Sequence, residues 1–139
     1  MNIISFLLLL ASISTTQEAR IKLLLGSKDP EDRADGARIV GEEKSRAHFY
    51  AVIKLLKDPH VTVRCWAGWA LGEFGDPRAI GPLIKAMVKY HEIAKTDQAG
   101  WESKCLTSFY LALEKLTGKR FGLDALKWQQ WWMSENWES

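Results

Sequence analysis

The feature that most constrains the fold of this chain is a tetrapeptide that returns at a fixed interval. Ile21-Lys22-Leu23-Leu24 recurs as Ile53-Lys54-Leu55-Leu56 and, loosened, as Ile84-Lys85-Ala86-Met87, at spacings of 32 and 31 residues. Arg33 and Arg64 are also 31 apart, as are Gly41 and Gly72, so one register holds across a whole unit. Self-similarity at this period marks stacked helical units, each unable to bury its apolar face alone.

The unit is clearest from Asp58 to Met87. Asp58-Pro59 ends what precedes it, because proline disfavours helix for the residue before it and suits the first turn of a new one. Val63, Ala67, Ala70 and Leu71 then form one face at the 3.6-residue period, and Gly72 and Gly75 end the helix. Gly75-Asp76-Pro77 supplies a turn, a cap and a proline at the next helix start, after which Ile80, Leu83, Ile84, Met87 and Val88 form a second stripe. The preceding unit spans about 29–57, with helices expected over Glu31–Val40 and Ser45–Lys57, the second capped by Ser45. Its first helix is polar for a buried element, with Asp35 and Gly36 where the next unit has Trp66 and Ala67.

After the unit at 58–88 the pattern stretches. Ala112-Leu113-Glu114-Lys115-Leu116 aligns on Ala70-Leu71-Gly72-Glu73-Phe74 with an offset of 42, which implies an insertion of about eleven residues. Such insertions gather on one face of an array and often tune binding. A third unit over about 98–136 is expected to pack Leu106, Phe109, Tyr110, Leu113 and Leu116, with Asp124 capping the last helix and Trp128, Trp131 and Trp132 closing the end of the stack. Trp137 lies beyond it. A partial helix over 16–26 precedes the first unit.

The pattern D-P-x-V-x-V-R-x-x-A-x-x-A-L-G-x-x-G-D-P-x-A-I-x-P-L-I, carried by Asp58 to Ile84, resembles the HEAT-like repeat of the PBS-lyase type. The resemblance implies an all-α fold, a short right-handed α-solenoid of about three helix pairs within residues 16–137. It implies a non-catalytic scaffold that binds another protein, of unknown identity. It also places Arg33 and Arg64 at the repeat's arginine position, tying turn aspartates or helix ends of adjacent units together, with Asp58 and Asp76 as their natural partners. Two alternatives come with it: an accessory protein of bilin chromophore lyases, and HEAT-like nucleic-acid binding. The net charge of +2, from 19 basic and 17 acidic side chains, disfavours nucleic acid or an anionic membrane as partner.

Site candidates are the residues the repeat leaves unexplained. Trp66 and Trp69 serve either packing or an aromatic hot spot for a partner, and Tyr90 and His91 in the insertion join them as candidate partner contacts. No HExxH, CxxC, GxSxG or phosphate loop is present, so neither a catalytic residue, a metal site nor a cofactor is expected. Cys65 and Cys105 fall on successive first helices; the offset of 42 sets them half a turn out of register, so independent buried thiols are expected rather than a disulfide. Residues 1–14, with the uncharged run Ile3–Ser14, have the length of a signal-peptide core and are too short to span a bilayer. If they are cleaved near Ser14-Thr15 the protein is exported, periplasmic or extracellular, with no stable membrane span remaining; otherwise it is cytoplasmic, and the run is an N-terminal capping helix.

Overall fold

A computed structural model describes residues 1–136, and among them the chain is helical with no strand. Trp137 lies outside the described residues. The helices are α1 (Ile3–Leu25), α2 (Pro30–Glu43), α3 (Phe49–Leu55), α4 (Val61–Phe74), α5 (Ile80–Thr96), α6 (Trp101–Thr117) and α7 (Ala125–Asn136). Helices α2, α4 and α6 pack side by side as one layer; α3 packs on α4, α5 on α6 and α7, and α1 covers the free flank of α2. This is the α-solenoid expected from the repeat.

Aspartates start the helices through short side-chain caps. Asp29 accepts the Glu31 N–H at 2.9 Å, Asp58 that of His60 at 2.9 Å, Asp76 that of Arg78 at 2.9 Å and Asp124 that of Lys127 at 3.0 Å, each satisfying a backbone donor that the first turn leaves orphaned. Gly75 and Gly118 end α4 and α6 at φ 67° and 72°, a left-handed turn that disfavours a side chain. The stripes are where the period puts them: Val63, Ala67, Ala70 and Leu71 of α4, and Leu83, Ile84 and Met87 of α5, are buried in one continuous core. Each fully buried valine- or leucine-sized side chain there contributes about 1.5–3 kcal/mol.

Three local expectations need correction. The run 3–14 and the partial helix expected over 16–26 are parts of one uninterrupted helix, α1, which ends at Leu25, and the first side chain it buries is Ile21. Ser45 makes no capping hydrogen bond; α2 ends on Lys44 at φ 52°, and a 3₁₀ turn over Arg46–His48 leads into α3. Gly72 does not end α4 but lies inside it, where a Cβ would stand 3.0 Å from the Ala112 backbone. The insertion after Met87, which the sequence allows as helix or polar loop, mostly lengthens α5 to Thr96, and α6 begins at Trp101.

Glycine sets the spacing of the α2–α4–α6 layer. A Cβ at Gly41 would meet the Trp69 ring at 2.7 Å and the Ala70 Cα at 2.9 Å, and one at Gly68 would meet the Phe109 ring at 2.4 Å. The helices therefore run parallel at close approach, with Gly41 opposite Ala70 and Gly72 opposite Ala112. Of the terminal tryptophans, Trp128 is fully buried, donates to the Gly122 carbonyl at 2.9 Å and packs edge-on to Phe121. Trp132 lies over Gly81 of α5, so the aromatic end faces inward onto the preceding unit.

Candidate partner-binding surface

The repeat arginines join consecutive units by the same device with different partners. Arg33 of α2 clamps the Asp58 carboxylate and also donates to the Ser27 and Lys28 carbonyls at 3.0 Å. Burial works to raise the Asp58 pKa, but the Arg33 hydrogen bond and the His60 N–H outweigh it and hold the carboxyl below its usual range. Arg64, one unit on, is buried; it donates to the Asp58 and Pro59 carbonyls at 2.8 and 3.1 Å, pairs with Glu102 of α6 and stacks over the Tyr90 ring at 4.2 Å. Asp76 is the partner of Arg78, not of either repeat arginine. The insertion displaces the next unit's turn, so a carboxylate from the start of α6 takes the place an aspartate has for Arg33.

Trp66 and Trp69 are half-buried on α4 and meet edge to face, with ring centroids 5.5 Å apart. Trp69 rests on Gly41 on one side. On the other it forms a wall of an open groove of about 490 Å³ between α4 and α6, with Gly72, Ser108, Leu111, Ala112, Lys115 and Arg120 as further lining. Leu111 is 48% exposed there, and Lys115 pairs with Glu73 across the groove. The floor is open because Gly72 and Ala112 offer almost no side chain.

The four candidate contacts do not converge. Tyr90 is buried at 5% exposure beneath Arg64, so it packs rather than presenting itself at the surface. His91 lines a separate depression with Ala94, Lys95, Ser103, Leu106 and Leu123. The position of Tyr90 was readable, since Leu83, Met87 and Tyr90 follow at helical spacings of 4 and 3. Leu111 was the overlooked residue. It is the apolar side chain of α6 that falls off the stripe of Leu106, Phe109, Leu113 and Leu116, and that mismatch was the available signal.

Cys65 and Cys105 are free thiols, but they are not independent. They lie beside one another across the α4–α6 contact, close enough for each to perturb the other's ionisation, the Cys65 thiol downward and the Cys105 thiol upward. The expected half-turn offset is overturned because the packing register is 40, the step from Gly72 to Ala112, rather than the 42 of the sequence alignment. Two residues of helix amount to about 200° of rotation, enough to swing Cys105 from the far side to the near one.

Among the described residues no three His, Cys, Asp or Glu side chains cluster as a metal site, and no described helix is long and apolar enough to cross a membrane. A family model described as HEAT repeats matches residues 18–97. No curated protein gives a significant match.

Proposed function

This chain belongs to the HEAT-repeat family, and from that membership we propose that it is a protein-binding scaffold without catalytic activity of its own. HEAT repeats commonly serve protein interaction, and the observation that carries the reading to a place is the α4–α6 groove. It combines a half-buried tryptophan packed against Gly41, an exposed leucine, and a charged rim of Glu114, Lys115 and Arg120, the composition typical of an interface centre with a polar edge. Trp69 thus has a packing side and a binding side. A photo-crosslinking residue at position 111 is expected to capture a partner in the native host, whereas the same residue at Lys54, exposed on α3, is not. Capture from 54 and none from 111 would place the interface elsewhere.

We also propose that residues 1–14 are an export signal. All residues from Met1 to Arg20 are exposed, and the apolar side chains from Ile3 to Ile13 touch none of the core, which begins at Ile21. Cleavage near Ser14-Thr15 would leave the repeat core intact and remove the exposed, apolar N-terminal half of α1. Sequencing the mature N-terminus in the native host is expected to begin near Thr15; recovery of intact Met1 overturns export.

A further inference from the structure

The α4–α6 seam keeps an offset of 40 at two successive turns, Gly68 against Ser108 and Gly72 against Ala112, where an added Cβ would stand 3.3 and 3.0 Å from its neighbour. Seven residues are nearly two helical turns, so Cys65 and Gly72 share a face of α4, and Cys105 and Ala112 share a face of α6. Cys65 with Cys105 and Gly72 with Ala112 thus occupy equivalent register positions of the seam, two turns apart. At the second of these the backbones are so near that a Cβ on Gly72 would lie 3.0 Å from the Ala112 Cα and Cβ. Nearer the first, the Ser108 hydroxyl donates to the Cys65 carbonyl at 2.6 Å, which fixes the two backbones within one short side chain of each other. Neither thiol is used by the groove.

We propose that Cys65 and Cys105 are a modification site, a dithiol that closes to an intramolecular disulfide between α4 and α6 on exchange with a disulfide oxidant such as oxidised glutathione. The two cysteines have distinct parts in this. Cys65 is half-buried and reachable, and it is the better thiolate: the neighbouring Cys105 thiol favours its charged form, burial opposes this, the Arg64 guanidinium favours it and Glu102 opposes it, with a net lowering of its pKa. Cys105 is fully buried, and both the adjacent Cys65 and burial hold its proton on.

The exchange proceeds in two displacements. The Cys65 thiolate attacks one sulfur of oxidised glutathione, the glutathione S–S bond breaks, and the first glutathione leaves as thiolate and takes up a proton. Cys105 then gives its proton to solvent and attacks the Cys65 sulfur, forming the protein disulfide and expelling the second glutathione. Two protein thiols are oxidised and one glutathione disulfide is reduced to two thiols.

The test uses the full chain equilibrated with oxidised glutathione, then acid-quenched, unfolded and alkylated. Wild type is expected to lose both titratable thiols and two hydrogens in mass, with the peptides bearing Cys65 and Cys105 linked. Cys105→Ser is expected to stop at a glutathione adduct on Cys65, and Cys65→Ser to leave Cys105 unmodified in the folded protein. Two titratable thiols in wild type, a lasting glutathione adduct without a bridge, or a disulfide-linked dimer would each overturn the proposal.

Discussion

Asp58 receives two parallel hydrogen bonds from Arg33, Nε to Oδ2 at 2.7 Å and Nη2 to Oδ1 at 3.0 Å, while it caps the His60 N–H of its own unit. One carboxylate thus fixes the first helix of the 29–57 unit to the start of the next unit. Because Arg33 and the His60 N–H hold the folded pKa of Asp58 below the unfolded value of about 3.9, its contribution is fully present above about pH 4 and is lost as pH falls through the folded value. Asp58→Asn is therefore expected to lower stability at neutral pH and to flatten the acid limb of the profile. Urea midpoints measured from neutral pH downward check this.

Arg64 and Glu102 are expected to behave as a pair. Arg64→Ala leaves the half-buried Glu102 without its cation and strips the Tyr90 ring of its cover, a loss of about 3 kcal/mol. Adding Glu102→Leu should recover a substantial part of it, since what is costly is the stranded charge. Chemical denaturation of the two single variants and the double variant measures the coupling.

Gly68→Ala is expected to destabilise by about 1–3 kcal/mol through overpacking, because the new methyl would stand 2.4 Å from the Phe109 ring. Phe109→Leu in the same chain should relieve part of this. At Gly75 the space is open and only the left-handed backbone opposes a side chain, so Gly75→Ala should cost about 1 kcal/mol and show no rescue by any neighbour. Thermal unfolding of the four proteins separates crowding from backbone strain.

Leu111→Asp is expected to leave the unfolding free energy within about 0.5 kcal/mol of wild type, as suits a half-exposed side chain outside the core. The same substitution should abolish capture of the partner by the groove. Trp69→Ala, by contrast, should reduce both, since its ring fills the gap over Gly41. Pairing thermal melts with a binding measurement on each variant distinguishes the two residues.

Once formed, the Cys65–Cys105 bridge closes a loop of about 40 residues, which chain-entropy arguments value at about 4 kcal/mol. Denaturation midpoints of the oxidised and reduced chain should differ in that direction.

The stripes were legible because helical period is a local property: Val63, Ala67 and Leu71 declare a buried face whatever surrounds them. Helix ends with aspartate or proline were legible for the same reason. What escaped depends on how helices dock. The partner of Arg64 lies 38 residues away, on a helix whose start the insertion had moved. Cys105 was misplaced because aligning similar residues gives the repeat offset, while the contact follows the offset at which glycine and alanine let two backbones meet. Ser45 had the right chemistry for a cap, but the left-handed turn at Lys44 set the chain on a 3₁₀ entry that made no use of it.

The glycines of the α2–α4–α6 layer bear on assembly as well as spacing. An array of similar units risks docking the wrong pair or trading units between molecules as it folds. Here the hollow at Gly41 admits the ring of Trp69, the hollow at Gly68 admits that of Phe109, and at Gly72 only the bare backbone of Ala112 fits. Each interface thus carries its own key. Units that look alike along the chain are not interchangeable in space, and the order of the stack is written into which neighbour each missing side chain will accept.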